Sequence, residues 1–123
     1  ENEEKFRTLF EKANDMIFIF DMNDRILDAN KRTCDLLGYN RDELLRLKVT
    51  DLQAPQVRGS ARTILKDDYK KYGSKVYESL GIRKDRTTFP VEVTLSKVTI
   101  ASGIRFFAVV RDVSERKQTT QDK

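Results

Sequence analysis

Few side chains in this sequence can do covalent or acid–base chemistry. There is one thiol, Cys34, and no histidine among the 123 residues. Without histidine the chain has no imidazole general base, no Ser-His-Asp or Cys-His nucleophile system, no zinc-hydrolase site and no proximal-histidine haem ligand. A lone cysteine forms neither an internal disulfide nor a multi-cysteine metal site, which fits a reducing, cytoplasmic compartment. The acidic pairs Asp42-Glu43 and Asp67-Asp68 are each adjacent on a predicted helix, so their carboxylates diverge and serve solubility rather than proton transfer. The five glycines are scattered at turns, and none builds a phosphate cradle. The residues point to a non-enzymatic domain without catalytic or metal-binding side chains.

Charge and length narrow the class further. Lys and Arg number 24 against 20 Asp and Glu, a net charge of +4, but the two signs alternate along the chain and no basic stripe forms. Phosphate recognition needs clustered positive charge, so nucleic acid is not an expected partner. No run approaches the roughly 20 apolar residues of a membrane span, so direct membrane insertion is not expected either. Glu1-Asn2-Glu3-Glu4 is acidic, lacks a signal-peptide core and reads as a domain boundary. The length suits one domain with a core of its own.

The periodicities place the elements. Phe6, Leu9, Phe10 and Ala13 fall at i, i+3, i+4 and i+7, an apolar stripe on a charged helix over residues 3–13. Met16 to Phe20 is apolar on both faces and predicts a strand buried from two sides. A turn at Asp21 to Asp24 joins it to a second strand over Arg25 to Ala29. Asn30 suits the N-cap of a short helix through Leu37 that Gly38 stops, and Asn40 caps another leading into Leu44 and Leu45. After an irregular link over Val49 to Gln53, Pro55 precedes a longer helix over residues 56–72 with Val57, Ala61, Ile64, Leu65, Tyr69 and Tyr72 on its apolar side. The period then changes to two, and strands follow over residues 74–84, 87–99 and 103–112. Pro90 lies inside the middle one, so its position must point away from the ladder or form a bulge. Ser114 and Glu115 open a further helix. The fold class is α+β: a five-stranded antiparallel sheet, short helices and one longer helix on one face, and an N-terminal flanking helix.

Several strings in this order resemble the PAS sensory-domain family from Glu4 to Lys117. They are Glu4-Lys5-Phe6-Arg7 with Ala13-Asn14-Asp15, then Ile26-Leu27-Asp28-Ala29-Asn30 followed by Leu37-Gly38-Tyr39. Arg83-Lys84-Asp85 and Phe89-Pro90-Val91-Glu92 are similar to the family's hairpin between third and fourth strands, and Arg111-Asp112-Val113-Ser114-Glu115-Arg116-Lys117 to its Asp-Ile-Thr exit. Asp24 and Arg86 stand where the family commonly has Gly, which leaves the turn types open. The resemblance implies a flanking helix over 1–14, a core over 15–113, and the start of a linker helix over 114–123 leading to an effector domain.

Ligand chemistry differs among PAS domains. Light-oxygen-voltage flavin domains carry a reactive Cys in the link before the long helix, where this chain has Val49, and flavin-ring amides where it has Gly81, Val91 and Val110. Cys34 lies in the preceding helix and reads as a small buried hydrophobe. Haem-sensing members use a His that is absent here, and Met16, Met22 and Tyr69 are poor substitutes. Flavin and haem are thus disfavoured, and no cofactor is expected. The expected pocket is apolar, lined by Phe18, Phe20, Leu52, Ala61, Ile64, Leu80, Val91, Val93, Ala108 and Val110, and suits a small apolar ligand or is filled by side chains. Asp112, Ser114 and Arg116 form the implied signal-relay joint: Asp112 ties the strand end to the exiting segment and Ser114 caps the helix. The leading expectation is a regulatory input domain of a sensor histidine kinase or diguanylate cyclase. The alternative is a ligand-free homodimerisation and coupling module with Phe6, Leu9 and Phe10 at its interface, unless that stripe packs back on the domain itself.

Overall fold

A computed structural model describes residues 2–57 and 74–115. Helix α1 (Asn2–Lys12) leads into strand β1 (Met16–Asp21), which turns into β2 (Ile26–Ala29). Two short helices follow, α2 (Lys31–Leu37) and α3 (Arg41–Leu44), then 3-10 turns at Val49–Leu52 and Pro55–Val57. Strands β3 (Ser74–Ile82), β4 (Thr88–Ile100) and β5 (Gly103–Asp112) complete the sheet. Its order is β2-β1-β5-β4-β3 with every pairing antiparallel. The last strand therefore inserts beside the first, and both halves of the chain meet at the centre. The longer helix expected over 56–72 lies, apart from its start, outside the described residues.

Local chemistry explains the elements. Asn30 and Asn40 sit in extended conformation and accept from the Thr33 and Glu43 amides, so each starts a helix. Glu43 returns a bond to the Asn40 amide and closes a capping box, while Gly38 at φ 86° ends α2 in the left-handed conformation its missing Cβ permits. Asp24 and Arg86 also adopt left-handed backbone, with φ of 67° and 76°. Neighbouring carboxylates hold both turns: Asp21 accepts from the Asn23 and Arg25 amides, and Asp85 from the Thr87 amide and hydroxyl. Pro90 needs no bulge. It pairs with Leu80 just beyond the end of β5, where its carbonyl accepts the Val113 amide at 3.1 Å and the regular ladder to β5 has already ended.

Register decides the faces. Phe18 pairs with Ala108 and Ala108 with Leu95, while Met16 pairs with Val110, Val110 with Val93 and Val93 with Tyr77. These side chains share the inner face, which the short helices and 3-10 turns cover. The outer face is less covered than the sequence predicts: Met16, Phe18 and Phe20 are buried but Ile17 and Ile19 only partly so. One layer of helices shields one side of a sheet, so β1 is not buried from two sides. Among the described residues, no helix is long and apolar enough to cross a membrane.

Candidate functional site

The inner face cups a cavity of about 50 Å³. A water-sized group needs about 10–15 Å³, so the space admits a few such groups or a small organic fragment. Phe18, Phe20, Leu52, Leu80, Val91, Val93, Ala108 and Val110 line it, as do Met16, Leu37, Val49, Phe89 and Leu95. Ala61 and Ile64 lie outside the described residues. Strands β1, β4 and β5 supply most of this wall because every second residue points inward. The 3-10 turn brings in Val49 and Leu52, and a single bridge between Gln53 and Gly81 sets it against β3.

Polar groups enter from one side, and sequence reasoning missed them. Gln53, Tyr77 and Ser79 all border the cavity, the last two on the inward register of β3 opposite Val93 and Val91. No described residue hydrogen-bonds the side-chain hydroxyl of Tyr77 or of Ser79. Burial pushes the Tyr77 phenol up to about 12, so it acts as a neutral donor or acceptor. The signal was present in the alternation Tyr77-Glu78-Ser79, but periodicity alone does not say which face is inward on an edge strand. Cys34 packs at the margin of the core, where burial first and the Asp35 and Glu11 carboxylates next raise its thiol above the ordinary value. That is the setting of an inert thiol. Among the described residues no cluster of His, Cys, Asp and Glu could hold a metal.

At the exit, Asp112 Oδ1 accepts from the Ser114 amide at 2.8 Å and from its hydroxyl at 2.5 Å, while Oδ2 lies 3.8 Å from Arg83 Nη2. Asp112 thus holds the first helical amide, and the Ser114 hydroxyl donates to the same carboxylate while keeping its lone pairs as acceptors. Arg116 lies outside the described residues. The N-terminal stripe splits. Phe6 and Leu9 are 46% and 73% exposed, but Phe10 is 3% exposed and closes over the domain, so its surface is not free for a second copy. At the same point the Asn30 side-chain amide donates to the Phe10 carbonyl at 2.9 Å and ties the end of α1 to the core.

A cupped antiparallel sheet whose central last strand both walls a small cavity and runs into an exit segment has the build of a sensory module. Residues 14–115 match the PAS domain family, and the chain belongs to it. It is 30% identical over 119 residues to a methyl sulfide methyltransferase-associated sensor of Methanosarcina acetivorans, covering 96% of this chain and 12% of that protein. It is 31% identical over 121 residues to sporulation kinase E of Bacillus subtilis, covering 98% of this chain and 16% of the kinase. The chain therefore spans under a fifth of these relatives. The PAS domain of a Colwellia psychrerythraea protein superposes with a TM-score of 0.86 over 94% of this chain and all of that one, at 19% identity. Light-oxygen-voltage proteins share the fold at 22% identity or less. At such identity the likeness is one of fold alone.

Proposed function

We propose that the chain is the sensory input domain of a larger cytoplasmic signal-transduction protein, such as a sensor histidine kinase or a diguanylate cyclase. It takes a small, mainly apolar ligand into the cavity and passes the resulting shift to an effector domain in the same polypeptide. One observation carries this reading: β5 gives Ala108 and Val110 to the cavity wall and, two residues further, Asp112 to the exit. Tyr77 and Ser79 give the ligand a place for one hydrogen-bonding atom. Light-oxygen-voltage flavin chemistry is disfavoured, because a buried Val49 stands where the resemblance implies the reactive thiol and Gly81, Val91 and Val110 where it implies ring-binding amides, which leaves Gln53 as the side-chain amide at the cavity among the described residues. The donor set does not fit a histidine-ligated haem either.

Native mass spectrometry of the purified chain with an absorption spectrum of the same sample tests this. We expect the mass of the chain plus a small adduct and no visible band; a flavin or haem band overturns the ligand class. A second reading, a ligand-free dimerisation and coupling module, is favoured by the exposed Phe6 and Leu9 on α1. Bare protein at twice the chain mass would select it.

A further inference from the structure

Arg83 stands where the cavity wall meets the exit. It follows β3, with its amide donating to the Thr87 carbonyl and its carbonyl accepting the Arg86 amide, both at 2.9 Å, so its backbone is fixed within the turn. Its guanidinium carbon lies 4.1 Å from the centroid of the Phe89 ring, within cation–π range. Nη1 donates to the Thr87 hydroxyl at 3.2 Å and Nη2 faces Asp112. A planar guanidinium can lie flat on a ring and still aim its edge at a carboxylate, which a lysine ammonium cannot.

The ring beneath has little slack. Phe89 is buried and borders the cavity, and a Cβ placed on Gly81 would lie 3.0 Å from its Cζ and 3.1 Å from Cε1. Anything that crowds the cavity beside Gly81 must shift that ring. On the other side, the 3.8 Å separation of Arg83 and Asp112 exceeds the roughly 2.7–2.9 Å of a tight charged hydrogen bond. A shift of about 1 Å would make or break this contact.

We propose that Arg83 is a positioning residue that couples the cavity wall to the exit segment: displacement of the Phe89 ring moves the guanidinium, which changes how firmly Asp112 holds Ser114. This rests on the reading of the cavity as input and of the exit as output.

Hydrogen exchange of the Ser114 amide tests it in four chains: unaltered, Gly81→Ala, Arg83→Lys and the double variant, with an amide at the centre of β4 reporting global opening. Gly81→Ala pushes on Phe89 without any ligand. We expect it to speed Ser114 exchange about 2- to 30-fold, the range found for residues that couple two sites, with the β4 reference unchanged. In the Arg83→Lys background the effect should vanish. An equal effect in both backgrounds, or a Ser114 rate that stays put while the Phe89 ring resonances move, overturns the role of Arg83. If Gly81→Ala does not fold, Phe89→Leu withdraws the seat of the guanidinium and closes the same cycle with the same two outcomes. An additive cycle leaves the sensory reading intact; that reading falls separately, if Asp112→Ala in the full-length protein leaves its output unchanged.

Discussion

The two ends of the domain are joined to its core by different chemistry. At the N-terminal joint Asn30 is fully buried, and its side chain makes five hydrogen bonds. Oδ1 accepts from the Ile17 amide, the Thr33 amide and the Thr33 hydroxyl, and Nδ2 donates to the carbonyls of Phe10 and Asp15. At the exit the Asp112 side chain is 25% exposed and charged, and its partners are a neighbouring serine and an arginine at 3.8 Å. Three of the bonds at the first joint are buried from water, whereas those at the second are all open to it in part. On the proposed reading the difference is one of function as well as of strength. A buried neutral network fixes where α1 and β1 stand, and a half-wet ionic one lets the exit be biased at small cost.

The contrast breaks first at Asn30. Asn30→Ala leaves two carbonyls and two amides without partners near the core, so it should cost about 3 kcal/mol or more, read by urea denaturation. Asn30→Asp keeps the acceptor but turns a buried carboxylate oxygen toward the Phe10 and Asp15 carbonyls, and should cost at least as much as Ala at neutral pH. Asp112→Ala removes a partly exposed cap and should cost about 1 kcal/mol, while on the proposed reading changing the output of the full-length protein strongly. Equal losses of stability at the two joints would abolish the distinction between them.

Much of this was legible in the chain. Asn30, Gly38 and Asn40 announced helix ends because caps are local chemistry, and Val91, Val93 and Leu95 announced an inward face because a strand repeats every two residues. What was hidden is what crosses the sequence. Asn30 reads as an ordinary cap, yet three of its five bonds reach residues 20, 15 and 13 positions away. Phe6, Leu9 and Phe10 form one stripe, and only that long-range bond shows which of them is buried. Arg83 looks like one more turn cation until β3 and β4 place it over Phe89.

A smaller effect sharpens the view of α1. Because Asn30 and Phe10 hold this helix, Phe6 should be dispensable for folding even though its ring stacks on Phe10 at 5.4 Å. Phe6→Asp is expected to change stability by about 0.5 kcal/mol or less, as at most exposed positions. If the chain associates through α1, the same variant should halve its mass in solution by light scattering. A dimer of unchanged mass removes Phe6 from the interface.

The smallest effect concerns the turn that carries Arg83. Lys84 Nζ lies 2.6 Å from Glu43 Oε2 and ties this turn to α3, with both groups in contact with solvent. The Lys84 hydrogen bond, and next the Asn40 amide, hold the Glu43 carboxyl below the ordinary glutamate value. The folded value is thus lower than the unfolded one, so the pair favours the fold above the ordinary glutamate range and loses that effect as pH falls through the lowered value. Lys84→Met should raise the Glu43 titration, followed by carboxyl-carbon NMR, part of the way back, since the Asn40 amide still donates. A titration that does not move would mean that Lys84 leaves Glu43 alone in solution. The turn would then lose its tether to α3, and Arg83 would be held by its backbone, Thr87, Phe89 and Asp112, which would place the exit joint still further from the rigidity of Asn30.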